Sequence, residues 1–225
     1  LPDMGENVQV DGNIRCIMED AQNNLWVAES VYAYVSDENG YQDMGEQTFL
    51  RQIDETGSEM QRRDLSVVKD SFGEDEYFYI NNVTMDADGN VYVLCDTKLF
   101  VLDSENAISF KLESENWIDS MTRLGDGRIC VTVYEEDGQK LKMIDTAKKG
   151  WGESYKANGN FYNCVSGNGE YDLFYNDGMN FYGYDIETGE ATAIVNWLNA
   201  DINGDQVNGI APLADGRIVV MLYNW

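Results

Sequence analysis

Histidine is absent from all 225 residues. That absence removes Ser-His-Asp and Cys-His nucleophile activation, the usual zinc hydrolase centres, and imidazole as a general base near neutral pH. Basic residues are scarce: 15 Lys and Arg stand against 41 Asp and Glu, a formal net charge of −26. Only Arg62-Arg63 and Lys148-Lys149 place two cations side by side. A surface this acidic repels phosphate backbones and anionic headgroups, which sets aside nucleic acid and direct membrane adsorption as partners. Long apolar runs are missing too. No stretch approaches the roughly 18 residues that would cross a bilayer, so this segment is not expected to insert into a membrane. The four cysteines, Cys16, Cys95, Cys130 and Cys164, form no Cys-x-x-Cys pair. Without local pairs or histidine they read as buried small hydrophobes, and no cofactor is implied.

What remains for catalysis is carboxylate chemistry. A glycosidase needs two acidic groups about 5 to 9.5 Å apart across a sugar, and 41 candidates leave the pair unchosen. Much of the acidity serves solubility, and the rest suits attraction of cations or cationic partners.

Turn chemistry is abundant and it repeats. Asp88-Gly89-Asn90, Asp126-Gly127-Arg128, Asn168-Gly169-Glu170 and Asp215-Gly216-Arg217 recur at intervals of 38, 42 and 47 residues, after a degenerate copy at Asn23-Asn24. Each is followed by a β-branched or aromatic run, at 25–28, 91–95, 129–134, 171–175 and 218–223. Such dipeptides between apolar runs signal hairpins, with positive φ at the turn residues. A third strand then ends on an aspartate, at 50–54, 99–103, 141–145 and 181–185. These aspartates are expected to build turns, their carboxylates accepting the loop's own amides while glycine takes the left-handed position.

Periods of about 40 to 45 residues made of short strands mark propeller blades, four-stranded sheets that cannot bury their own faces. The expected fold is all-β and β-propeller-like, with about five four-stranded blades at 7–66, 76–114, 116–156, 158–192 and 206–225, in a single domain. The last blade stops after its second strand. Either the N-terminal residues help close the ring or the chain is a piece of a longer one, and the opening at Leu1-Pro2 favours the second reading. Within the first unit, the polar stretch 36–47 reads as a rim loop.

Two segments invite a calcium reading. Asp201-x-Asn203-x-Asp205 has the donor spacing of an EF-hand start, but Gln206 replaces the required glycine and Pro212 the bidentate glutamate. Asp86-x-Asp88-x-Asn90 falls where the repeat demands a hairpin. Neither supports calcium well, which leaves calcium only a site assembled from loops brought together in three dimensions.

Most aromatics read as core, including Tyr77-Phe78-Tyr79 and Phe181-Tyr182-Gly183-Tyr184 within expected strands. Trp117 and Trp151 lie near unit boundaries among polar residues and are the candidate ligand-binding positions, suited to carbohydrate. Their competing role is packing between blades.

The run Ile194-Val195-Asn196-Trp197-Leu198-Asn199-Ala200-Asp201-Ile202-Asn203-Gly204-Asp205, with Gly209-Ile210 and Leu213-Ala214-Asp215-Gly216-Arg217-Ile218, resembles the last propeller-type repeats before a solute-binding domain in extracellular lipoproteins of Gram-positive gut bacteria. The resemblance implies a non-catalytic recognition or interaction module on a Gram-positive cell surface. Its partner would be another domain of the same chain or a cell-surface protein, the solute-binding component of an ABC importer. A secreted carboxylate-dependent glycosidase or carbohydrate-binding propeller is the alternative.

Overall fold

The computed structural model describes residues 8–20, 22, 24–37, 40–54, 56–73, 76–157, 161–177, 179–196, 206–212 and 218–223. The chain divides into two compact units, Leu1–Cys95 with Phe100–Phe110, and Asp96–Leu99 with Lys111–Trp225. The strands form four four-stranded blades in simple meander order. The first holds β1 (Val8–Glu19), β2 (Leu25–Asp37), β3 (Gly40–Ile53) and β4 (Glu59–Asp64). A single turn of helix, α1 (Ser66–Lys69), follows. The second blade is β5 (Asn82–Met85), β6 (Val91–Cys95), β7 (Lys98–Leu102) and β8 (Ile108–Glu113). The third is β9 (Ile118–Arg123), β10 (Ile129–Glu135), β11 (Gly138–Asp145) and β12 (Gly150–Lys156). The fourth is β13 (Tyr162–Ser166), β14 (Leu173–Asn176), β15 (Asn180–Tyr184) and β16 (Ala191–Asn196). A fifth unit has two strands among the described residues, β17 (Gln206–Pro212) and β18 (Ile218–Tyr223). The N-terminal strand β1 is spent inside the first blade, paired along its length with β2.

Burial explains the residue pattern of each strand. Every residue of β6 is buried, as are four of the five in β7. A strand covered on both faces reads as a continuous apolar run and loses its alternation. The fourth strands are wet: β4 is exposed along nearly all of its length, and β16 is exposed at four of six positions. Their polar sequences follow from that. In the first unit, neighbouring blades share one core, where Trp26, Ala28 and Leu50 meet Val83, Val91, Val93 and Phe100. In the second, Cys130, Leu141 and Met143 meet Phe161, Leu173, Tyr175 and Tyr184.

The turns are built by aspartate. In the β5–β6 loop, Asp86 N donates to Asn90 O and Gly89 N to Asp86 O. This is a three-residue hairpin, a type I turn closed by a left-handed residue, here Gly89 at φ 81°. Asp86 Oδ1 accepts the amides of Asp88 and Asn90, and Oδ2 accepts Asn90 Nδ2 and the Tyr92 hydroxyl. The expected two-residue turn with positive φ at both positions is therefore replaced by a longer loop in which only the glycine is left-handed. The Asp86 carboxylate thus builds the turn, accepting four hydrogen bonds from within the loop and from Tyr92. The third-strand aspartates act alike. Asp54 Oδ1 accepts Thr56 N and Ser58 N, Asp103 Oδ1 accepts Glu105 N and Ala107 N, Asp145 Oδ1 accepts Lys148 N, and Asp185 Oδ1 accepts Glu187 N and Thr188 N.

Two sequence readings are corrected. The stretch 36–47 is no loop: β2 and β3 run on as a long hairpin, paired from Val31↔Gln47 out to Asp37↔Gly40. The same part of β2 pairs on its other side with β1, from Val31↔Gly12 to Val35↔Val8, so most of the extension is three-stranded. Tyr77-Phe78-Tyr79 lies outside any strand, and Tyr77 is 77 % exposed. The EF-hand-like residues Asp201, Asn203 and Asp205, with Trp197 and Asp215-Gly216-Arg217, lie outside the described residues.

Asp20 is the buried member of the turn series. Its Oδ1 accepts Gln22 N and Asn24 N, and its Oδ2 accepts Asn24 Nδ2 and Trp26 Nε1. Burial pushes its pKa up, but the bonds from Trp26 and Asn24 outweigh that and hold it below the ordinary carboxylate value. A depressed folded pKa gives stability that is present above the unfolded value of about 3.9 and is lost as pH falls through the folded one. Replacing Asp20 by Asn should cost about 1–3 kcal/mol at pH 7, because charge-assisted hydrogen bonds are weakened. Thermal melts between pH 7 and 2 should show a smaller acid-induced drop for Asp20→Asn than for the parent. An equal drop would show that the carboxylate contributes nothing.

Candidate functional site

A cleft of about 690 Å³ opens in the second unit. Its lining comes from the end of β8 and the connection to β9 (Glu113, Ser114, Glu115, Asn116), the β10–β11 turn (Glu135, Glu136, Asp137), Lys142 of β11 and Trp151 of β12. Trp151 is half-buried, and its Nε1 donates to Glu113 O at 3.4 Å. That bond joins the outer strand of the third blade to the end of β8 and holds the indole as a wall. A register shift between Lys142↔Ser154 and Ile144↔Trp151 places an extra residue in β12, a bulge next to Trp151, a device that re-aims side chains.

Charge in the cleft is one-sided. Five carboxylates, of Glu113, Glu115, Glu135, Glu136 and Asp137, face the single cation Lys142. Lys142 Nζ is paired with Glu135 at 2.5 Å. Lys140, just outside, pairs with Asp137 at 2.7 Å, and that bond holds the Asp137 carboxyl below its usual range. Paired aspartate and glutamate leave an aromatic-walled space with surplus negative charge. Such a space attracts a positively charged group, which an indole face also favours when the cation approaches it closely.

A second cleft, of about 520 Å³, lies in the first unit among Asp20, Trp26, Arg62, Arg63, Gly89 and Asn106, with others. Its polar groups already serve the fold. Arg63 donates to Gly89 O at 2.9 Å, to Asn106 Oδ1 at 3.3 Å and to Asp103 O, tying the first blade to two loops of the second. Burial lowers its pKa, partly offset by Asp103. Arg62 is paired with Glu59 at 2.7 Å and stacks over Phe49. This cleft is a seam.

Of the two tryptophans singled out in the sequence, Trp151 stands in the wall of the first cleft. Trp117 is 50 % exposed, beside Asn116, and is not part of the lining. The acidic turn Glu135-Glu136-Asp137 was missed as a partner for Trp151; only its own run of carboxylates in the sequence pointed to it. Among the described residues, no group of three or more His, Cys, Asp or Glu side chains has metal-binding geometry. Among the same residues, no helix is long and apolar enough to cross a membrane.

A family model described as "Two component regulator propeller" matches residues 9–30, the hairpin of β1 and β2 closed by the Asp20 loop. No curated protein matches the chain. Among solved structures, a protein of unknown function from Bacteroides caccae is 15 % identical, over 93 % of this chain and 70 % of that one, with a TM-score of 0.51. The WD40 domain of Neurospora crassa Pan2 is 11 % identical, over 80 % of this chain and 49 % of that one, with a TM-score of 0.46. The extracellular domain of a proposed one-component system from B. thetaiotaomicron is 13 % identical, over 95 % of this chain and 35 % of that one, with a TM-score of 0.48. The chain thus spans about half the length of the Pan2 domain and about a third of the B. thetaiotaomicron domain. Among the described residues the chain is an all-β propeller-repeat fold with four four-stranded blades and a further two-stranded unit.

All four cysteines are free thiols in four different blades. Burial raises Cys16 to about 11 and Cys164 to about 12, and raises Cys130 as well. Cys16 Sγ donates to Val83 O and Cys164 Sγ to Phe161 O. A thiol reagent such as DTNB at pH 8 should therefore react with none of the four at an appreciable rate in the folded chain, and with all four after unfolding in guanidinium. One fast, stoichiometric thiol in the native protein would contradict this burial.

Proposed function

We propose that this chain is a non-catalytic recognition module that works outside the cell and passes what it binds to an attached domain or a cell-surface partner. The observation that carries the reading is the cleft of the third blade, where a fixed indole and five carboxylates face one lysine that is already paired. The ligand it fits carries positive charge: an amine, or a basic patch of a partner protein. The matched hairpin at 9–30 adds a repeat type whose description names a regulator. On the run 194–218 alone, the partner is the solute-binding component of an ABC importer on a Gram-positive surface.

A second reading has one observation in its favour. Asp119 of β9 accepts a hydrogen bond from Gln139 Nε2 at 3.3 Å, and burial raises its pKa above the ordinary carboxylate value. A glycosidase general acid needs such a shift. Turnover of aryl glycosides that vanishes in a folded Asp119→Asn variant would put the glycosidase reading first.

Spermine is a suitable probe of the cleft, followed by calorimetry. We expect binding that weakens as salt rises, because exposed charges are screened. Trp151→Ala should weaken it about tenfold, within the range of a partly desolvated cation–π contact. Glu135→Gln with Glu136→Gln should weaken it by roughly five- to tenfold. Binding indifferent to salt and to all three substitutions would overturn the assignment of the cleft.

A further inference from the structure

Residues 76–81 lead into β5 without regular structure. The chain there alternates. Phe78 packs edge-on to Phe72 at 5.3 Å against the core of the first unit, and Ile80 is buried in that core. Tyr77 and Tyr79, the residues between and beside them, face solvent at 77 % and 36 % exposure. In extended backbone, positions two apart share a side. Anchoring Phe78 and Ile80 therefore presents Tyr77 and Tyr79 together. Their rings lie 6.2 Å apart and within 10° of parallel.

The pair is also braced. The Arg15 guanidinium sits 4.6 Å from the centre of the Tyr79 ring. Arg15 is itself held by β2: its Nε donates to Ser30 Oγ at 3.2 Å and its Nη2 to the Tyr32 hydroxyl. A cation fixed by two hydrogen bonds and set against a ring limits how far that ring can turn. The Tyr79 ring is thus held before any ligand arrives, and the ordering cost of binding is lowered for that ring.

We propose that Tyr77 and Tyr79 form a stacking platform for the ring of a neutral sugar, a site separate from the Trp151 cleft in the other unit. Its aromatic character and size select the occupant. Two tyrosine rings are far too small for a stable protein interface, which takes about 800 Å² on each partner. A nucleobase stacks on the same kind of surface, but its phosphates would meet a chain of net charge −26. An uncharged pyranose offers an apolar C–H face to the rings and hydroxyls to their phenolic edges, which matches the amphipathic character of tyrosine.

The test is calorimetric titration of the chain with cellohexaose, laminarihexaose, mannohexaose and chitohexaose at millimolar concentrations. At least one should bind, and Tyr77→Ala and Tyr79→Ala should each weaken that binding roughly tenfold. Tyr77→Phe should keep most of it, because the flat face remains. Trp151→Ala should leave it unchanged while weakening spermine binding, so the two sites succeed or fail separately. The high exposure of Tyr77 makes its alanine variant a mild change, and a thermal melt confirms that it folds. No binding to any of the four sugars would overturn the proposal. So would sugar binding that survives both alanine substitutions or is lost in Trp151→Ala, and so would a platform that takes oligothymidine or a second copy of the chain instead.

Discussion

A carboxylate at the head of a hairpin loop, accepting amides two to four residues ahead, is the interaction on which the rest of this structure depends. It recurs at Asp20, Asp54, Asp86, Asp103 and Asp185. Short antiparallel strands need their register fixed at the turn, since a slip of one residue would carry every buried side chain to the wrong face. With the loop closed by its own aspartate, Val91 to Cys95 and its counterparts can be almost wholly apolar. The left-handed position is filled by Gly57 and Gly89 in two of these loops and by Asn106 in another, residues for which that conformation costs little.

The same chemistry accounts for part of the acidic composition. Carboxylates committed to loop amides are parts of the backbone's hydrogen bonding and are poorly suited to hold a ligand as well. Those of Glu113, Glu115, Glu135 and Glu136 stand elsewhere, at a strand end, in a connection and in a tight turn, and line a cleft with Trp151. The proposed recognition site is thereby separated from folding: the loops that set register spend their aspartates on their own amides, and the lining of the Trp151 cleft comes from other positions.

Much of this was legible in the sequence. The spacing of Asp-Gly and Asn-Gly pairs located the second strand of the second, third and fourth blades, and the aspartate ending each third strand was read as a turn builder, as Asp103 and Asp185 prove to be. The stretch 36–47 was misread because its composition is as polar as a loop's, and only the pairing of Val31 with Gln47 and onward distinguishes it. Tyr77-Phe78-Tyr79 carries a strand's alternation with no partner strand, so its pattern records an anchored extended segment. The cleft could not be assembled from the sequence, because Glu113, Glu135 and Trp151 meet only after two blades have formed. Trp117 and Trp151 looked equivalent as boundary aromatics, and only the Trp151 bond to Glu113 O distinguishes the wall from its exposed neighbour.

Amide hydrogen exchange followed by NMR at Asn24, Asn90 and Ala107 tests the central claim most directly. Each of these amides donates to an aspartate side chain, that of Asp20, Asp86 and Asp103 respectively. The account predicts slow exchange at all three in the native chain, and in an Asp86→Ala variant a selective loss of protection at Asn90. Exchange at the rate of an unstructured peptide at all three positions, in a chain that is otherwise folded, would contradict it.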